Sequence, residues 1–419
     1  MLRSFFIYAI SGGLNRAIPF FLLPIITRYL SPGEFGIWSI FQVIYTFCLP
    51  LIGLDSQANI TRSFFRLEKN DIACLVGNLL VVISGTFALL LISLFLILTF
   101  FNDLFGLPTE WLYAIPFISF TNMINLYNLT VLRNRDRPKT YSAYEIGFTI
   151  FNFLTAIVLI IFADYGWQAM AWGRISAGLI FSLLGIWHLQ KTGFFKINFD
   201  IRWIKEILRI SIPLVPHALG GIIISLSDRL FIDNMLGKHD VGLYSLGYIF
   251  GSLVLLVTDS FNKAWSPWMY RQLAEIDMEK KKKIVKITYC YDFCIVLLAL
   301  LLTAFSYRLI DLMIAPAYFE AKEYVLWVSL GLSAQGMYFM IFPYLVHIGK
   351  TNFLGLMTAI AALINLLGNY ILIKINGAVG AAQSTLISYV LMFLVVWWYV
   401  RRSYPMPWFK LRHLRSGRV

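Results

Sequence analysis

Long apolar runs, broken by short polar stretches, recur along the whole chain. A helix needs roughly 20 mostly apolar residues to cross about 30 Å of hydrocarbon. On that spacing twelve spans are predicted, at approximately 5–27, 36–59, 74–100, 110–132, 141–163, 167–189, 207–232, 241–263, 286–307, 323–347, 353–374 and 377–400. The longest polar connection in the middle of the chain is 190–206. Within it, 199–208 (FDIRWIKEIL) has helical apolar spacing with Arg202, Lys205 and Glu206 on another face. That pattern fits a helix on the membrane surface or an extension of the seventh span.

The pattern also repeats. The segment 29–39, YLSPGEFGIWS, lies on 235–245, MLGKHDVGLYS, at an offset of 206. Gly36 falls on Gly242, Glu34 on Asp240 and Trp38 on Tyr244. A second corner, 165–173, lies on 376–384 at an offset of 211, with Gly166 on Gly377. A repeat of half the chain predicts two similar halves. The predicted fold class is an all-α polytopic membrane protein with twelve transmembrane helices in two six-helix lobes. The lobes are 1–189 and 207–400, joined by a cytoplasmic linker at 190–206 and followed by a basic tail at 401–419. Six helices per half give both halves one orientation, related by an axis along the membrane normal, with a substrate path expected between them.

Composition agrees with this reading. Of the 419 residues 59% are apolar and 14% charged, and mean hydropathy is +0.73. Soluble domains average about 45–50% apolar and about 25% charged. The formal charge of +13 does not mark a nucleic-acid binder, because the basic residues sit in short loops between apolar spans. With the N-terminus in the cytoplasm, twenty-five Lys and Arg fall in inside segments and five in outside loops. This asymmetry places both termini inside. The opening run, after Arg3, resembles a signal peptide but shows no small-residue cleavage site, and it reads as a retained first helix. The outside loops are short, leaving no room for an extramembrane catalytic domain.

No phosphate-binding GxxxxGK[ST], Gly-rich dinucleotide turn or HExxH is present. Cys290 and Cys294 stand one turn apart, but no His or carboxylate completes a ligand set, so no metal or other cofactor is expected. The chemistry then rests on ionisable residues inside spans, which are costly there unless paired or wet. Arg16 lies mid-span and is a candidate contact for an anionic substrate, with Arg174 in the sixth span as a second. Asp228 and Arg229 end the seventh span and read as a salt bridge or an outer gate. Asp259 and Lys263, one turn apart, read as an intrahelical pair or an inner gate, and Asp55 as a partner for Arg62 or Lys263. His217 sits among Pro213, Pro216, Gly220 and Gly221, where a bend or a proton relay would fit. Asp292 and His347 are weaker candidates. A planar, always-charged Arg fork suits phosphate oxygens.

At these residues the chain resembles a family. The opening SGGLNRAIPFFLLPIITRYLSPGEFGIWSI and the later SDRLFIDNMLGKHDVGLYSLGY are similar to the Wzx-type polysaccharide flippases, relatives of the multidrug and toxin extruders and the lipid II flippases. The resemblance implies a MATE-like, V-shaped twelve-helix bundle in the bacterial inner membrane. It implies a substrate, an undecaprenyl-pyrophosphate-linked oligosaccharide such as an O-antigen unit, and a cavity arginine at Arg16. It also implies coupling to H+ or Na+, and a polysaccharide polymerase and chain-length regulator as partners beside membrane lipids. A multidrug or small-molecule antiporter on the same fold is the alternative, disfavoured because the first span offers an Arg and no acid. A membrane glycosyltransferase would need a large outer loop, and a scaffold would not need buried charges.

Overall fold

The computed structural model describes residues 2–101, 105–275 and 277–409. Among these the regular structure is entirely helical. The first helices are α1 (Leu2–Tyr29), α2 (Pro32–Gly53), a short α3 (Gln57–Ser63), α4 (Lys69–Phe100), α5 (Thr109–Asn134), α6 (Pro138–Ala163), α7 (Gln168–Lys191) and α8 (Ile201–Ser211). Then come α9 (Val215–Met235), α10 (Lys238–Gly251), α11 (Val254–Ala274), α12 (Met278–Met313), α13 (Lys322–His347), α14 (Thr351–Asn376) and α15 (Ala378–Ser403).

Among the described residues nine helices are long and apolar enough to cross a membrane, or eleven if two bent pairs each count as one span. The twelve predicted spans are therefore not all recovered. The predicted span at 110–132 corresponds to α5, whose Asn122, Asn125 and Asn128 dilute its apolar content. The predicted eighth span is broken between α10 and α11, which meet at a 46° bend. The segment 199–208 is neither a simple extension of the next span nor unstructured. It forms α8, which ends in a 3-10 turn over Ile212–Leu214 and bends 44° into α9. Pro213 removes a backbone donor in that turn, which accounts for the break. The lysine run 280–283, expected in a loop, is helical. It belongs to α12, whose 36 residues extend about 54 Å.

The chain divides into two compact units, Met1–Ile222 and Ile223–Val419. In the first, α5 is central and packs on α2, α3, α4, α6 and α7. Its buried Met123, Tyr127 and Val131 join Ile52, Leu79 and Ile83 in one apolar core. In the second, α13 packs on α10, α11, α12 and α15. Both central helices are 26 residues long. Large apolar side chains on outer faces stay exposed, among them Phe95 and Phe100 on α4, Phe293 and Leu301 on α12 and Leu183 on α7. Soluble monomers rarely expose such continuous apolar surface, and hydrocarbon is its natural solvent.

The repeated corners are helix starts. Ser31 caps α2: its hydroxyl accepts from the Glu34 amide at 3.3 Å, and the Glu34 carboxylate accepts from the Ser31 amide at 2.9 Å. This is a reciprocal capping box, with Pro32 at the first helical position. The offset of 206 carries the first residue of α2 onto the first residue of α10, so Gly36 and Gly242 hold the same place in their helices. The second offset carries Gly166 onto Gly377, and both have left-handed φ, +55° and +60°. At Gly166 a β-carbon would also lie 2.3 Å from the Glu34 carboxylate, so the two corners of the first unit meet where glycine is favoured and a larger residue would displace the capping carboxylate.

Candidate functional site

Each unit buries its own polar centre. In the first, Arg174 is the seventh residue of α7, about 9 Å in from its start. Its guanidinium lies over the Tyr45 ring of α2, 4.5 Å from the centroid. The Tyr45 hydroxyl accepts a hydrogen bond from the Asn122 amide of α5. The Tyr45 ring is thus fixed from one side and presents its face to the cation. The Arg174 Nε is buried and finds no hydrogen-bond partner among the described residues; the Oδ1 of Asn125, one turn from Asn122, is likewise without one. A guanidinium held by a ring but with an unused donor is suited to take an acceptor oxygen. Nearer the starts of α2, α5 and α7, Trp38, Phe41, Trp111 and Trp167 pack together, with Trp111 and Trp167 5.2 Å apart.

In the second unit Asp228 and Arg229 pair with each other. Adjacent helix residues point to different faces, but the Arg229 guanidinium folds back to bring Nη1 to 3.0 Å from Asp228 Oδ1. The same Nη1 also donates to the Ser225 carbonyl at 3.3 Å. Tyr244 of α10 donates its hydroxyl to Asp228 Oδ2. The guanidinium lies 4.4 Å from the Tyr248 ring centroid and 5.5 Å from that of Tyr244. Asp228 is fully buried and Arg229 is 7% exposed. The cluster continues through the Ser225 side chain to Tyr389 of α15, which accepts from Gln335 of α13 at 3.1 Å. On the neighbouring face of α9, Ser227 donates to Asn365 of α14 at 3.3 Å, and Asn365 donates to Thr385 of α15 at 3.4 Å.

The other predicted residues fall as follows. Arg16 lies on α1 and His217 on α9; their side chains lie outside the described residues. Asp55 is not in a span. The helix α2 stops at Gly53, and Leu54 and Asp55 both take left-handed φ in the turn to α3. There Asp55 accepts from Gln57 at 2.8 Å. Asp259 and Lys263 share α11, half-buried and exposed respectively. The Oδ1 of Asp292 is buried in α12 without a partner among the described residues. His347 ends α13 against the Tyr404 ring. No group of three metal-ligating side chains stands together among the described residues.

Sequence reasoning missed Tyr45, Asn122, Tyr244, Tyr389 and Asn365, because it searched spans for charge. Their signal is a helical spacing of neutral polar residues: Asn122, Asn125 and Asn128 on α5, and Asn365 and Asn369 on α14. It also missed Glu145 of α6, which accepts from Ser11 of α1 at 2.7 Å and from Tyr141 at 3.3 Å.

Comparison with known proteins fits this architecture. A solved lipid II flippase, MurJ in an inward closed conformation, superposes with a TM-score of 0.73 at 16% identity, covering 94% of this chain and 87% of its own. An inward-facing multidrug resistance MATE family transporter of the MOP superfamily gives 0.69 at 14% identity, covering 94% of each chain. The capsular polysaccharide biosynthesis protein CapF of Staphylococcus aureus is 22% identical over 416 residues, 96% of this chain and all of that one. The MatE family profile matches residues 213–371, and that of the polysaccharide biosynthesis protein family matches residues 1–273. With well over half its length so matched, this chain belongs to the family of polysaccharide biosynthesis proteins and is a multi-pass membrane protein on the fold of the MOP-superfamily transporters.

Proposed function

We propose that the chain is a flippase that moves an undecaprenyl-pyrophosphate-linked oligosaccharide, such as an O-antigen unit, from the inner to the outer leaflet of the bacterial plasma membrane. The observation that carries this reading is Arg174: a guanidinium within a membrane-spanning helix, held on Tyr45, with a buried Nε that no neighbour among the described residues uses. A charge at such depth is costly unless it serves a polar ligand. Pyrophosphate oxygens and sugar acids are ligands that an Arg fork holds well. Arg16, on α1, is proposed as a second contact for the head group. Relatives named for capsular polysaccharide biosynthesis and lipid II flipping support a lipid-linked glycan over a drug.

Alternating access requires helices that bend. Pro19 and Pro24 lie inside α1, and Pro213 and Pro216 flank the 44° break into α9. These are the proposed flexing points. Both termini are assigned to the cytoplasm by the excess of inside Lys and Arg. An H+ or Na+ gradient supplies the driving force, and a polymerase and chain-length regulator act on the product.

The test is translocation of a lipid-linked oligosaccharide in bacteria lacking their own flippase, at matched membrane abundance. Restored surface glycan with the wild-type chain, its loss with Arg174→Ala and partial rescue with Arg174→Lys are expected. No glycan moved, with lowered drug accumulation instead, would move the chain to the antiporter class.

A further inference from the structure

The helices α11 and α12 follow one another in the chain, yet each packs more closely on α13 than on the other. Between them runs a groove of about 340 Å³. Its lining is apolar: Val257 and Phe261 from α11, and Ile287, Tyr291, Ile295 and Leu298 from α12, with the Cys290 and Cys294 thiols beside them. The α12 positions recur at three and four residues, so they form one stripe of that helix. The stripe runs about 16 Å from Ile287 to Leu298. Phe261 and Tyr291, with ring centroids 4.4 Å apart, close its back.

One turn before Ile287 on the same stripe stands Lys283. Lys283 also lines a separate polar bowl of about 540 Å³, with Gln272 of α11 and Asp277, Glu279, Lys280 and Lys282. Asp277 is engaged locally: its carboxylate caps α12 by accepting from the Lys280 amide at 2.7 Å, and Lys280 Nζ donates to the Glu275 carbonyl at 2.6 Å. Lys282 and Lys283 carry no ion pair among the described residues. Lys281 and Lys286 add charge on the adjoining faces.

An apolar groove with Lys283, and Lys282 beside it, one turn beyond its end matches an amphiphile with an anionic head. We propose that the α11–α12 seam is a binding site for an anionic glycerophospholipid of the bilayer, one acyl chain in the groove and the phosphate on Lys282 and Lys283. Basic pockets between membrane helices hold acidic lipid head groups by this combination of charge and apolar contact. The site is separate from Arg174 and does not depend on which solute the chain moves. It would make the second unit responsive to the acidic lipid content of the membrane.

Native mass spectrometry on the full chain, released from detergent containing equal phosphatidylglycerol and phosphatidylcholine of identical chains, tests the proposal. Wild type is expected to retain phosphatidylglycerol several-fold over phosphatidylcholine. Lys282→Gln/Lys283→Gln is expected to bring the ratio near one, and Cys290→Trp, which fills the groove, to lower retention of both. Equal retention of the two lipids by wild type, or an unchanged preference in the lysine variant, overturns it. Displacement by equimolar undecaprenyl pyrophosphate overturns it as well, reassigning the seam to the transported lipid. Wild type with a phosphatidylglycerol carrying a diazirine on its acyl chain gives an answer that needs no variant. Crosslinks on residues 287–298 support the site, and crosslinks confined to other helices overturn it.

Discussion

The Arg174 guanidinium sits 4.5 Å from the centre of the Tyr45 ring. Two helices far apart in sequence thereby present one cation, and the ring is itself fixed by Asn122. If the charge serves an anionic head group, its removal and its support should act differently. Arg174→Ala should abolish translocation, whereas Arg174→Lys should keep part of it, since Lys retains charge without the fork. Tyr45→Leu should leave the charge present but mispositioned, removing a cation–π contact of about 0.5–2 kcal/mol. A partial loss of transport with a small drop in the unfolding midpoint is expected there. Wild-type transport by Arg174→Ala, measured at equal abundance, would remove Arg174 from the site.

The pair Asp228–Arg229 is buried and shared with Tyr244. Removing one partner leaves an uncompensated charge, which costs about 3–5 kcal/mol. Asp228→Ala should therefore strongly lower the unfolding midpoint in detergent. Replacing both residues, as in Asp228→Leu/Arg229→Met, should recover most of the loss, because a buried ion pair is often replaceable by packed apolar groups. If the double variant is stable but inert in transport, the pair has a role beyond holding α9 to α10. If it is stable and active, the pair is structural.

Much of this architecture was legible in the sequence, and the legible parts share a physical basis. The corner at 29–39 was readable because a capping box and a Pro at the first helical position are local signals, and its copy at 235–245 begins a helix in the same register. Gly166 and Gly377 were readable because left-handed backbone favours glycine. The position of Arg174 within its helix followed from counting residues. Its partner did not, because Tyr45 and Asn122 reach it only through the packing of α2, α5 and α7, and neutral polar residues leave hydropathy nearly unmarked. Asp55 was misplaced for a related reason: apolar Leu54, following Leu51 and Ile52, continues the hydropathy into the turn where the backbone leaves α2. The break between α10 and α11 lies within apolar sequence and carries no proline to announce it.

The connection before α8 is fastened to α4 by a close approach of two backbones. A β-carbon at Gly77 would stand 2.0 Å from the Lys196 carbonyl oxygen. Beside it the Lys196 amide donates to the Ala73 carbonyl at 3.1 Å, and the buried Asn78 side chain bridges the Asn198 carbonyl at 2.7 Å and the Asp200 amide at 3.0 Å. Gly77→Ala should push 196–200 away and raise amide exchange there and in α8, with the core of α5 unaffected. Asn78→Ala should do the same, removing two part-buried hydrogen bonds that contribute about 0.5–1.5 kcal/mol each. Exchange at 196–211 equal to wild type in both variants would show that the connection is held elsewhere.

The start of α8 should respond to acid. Asp200 caps the helix by accepting from the Arg202 amide at 2.9 Å, and its carboxylate also meets the Arg202 guanidinium at 2.8 Å. The Arg202 side chain, and then its backbone amide, hold the Asp200 carboxyl below its ordinary value. An unfolded Asp titrates near about 3.9. A carboxyl depressed in the folded state lends stability that is complete above the unfolded value and lost as pH falls through the folded one. Between neutral pH and the ordinary Asp range the cap should therefore hold, and below that range α8 should loosen. Amide exchange over Ile201–Ser211, corrected for intrinsic rates and compared across falling pH, is the measurement. Asp200→Asn keeps a capping side chain but cannot titrate, so its protection should stay flat where that of wild type declines. An equal decline in both would place the acid sensitivity in another carboxylate, such as Glu206 of α8, and not in the cap.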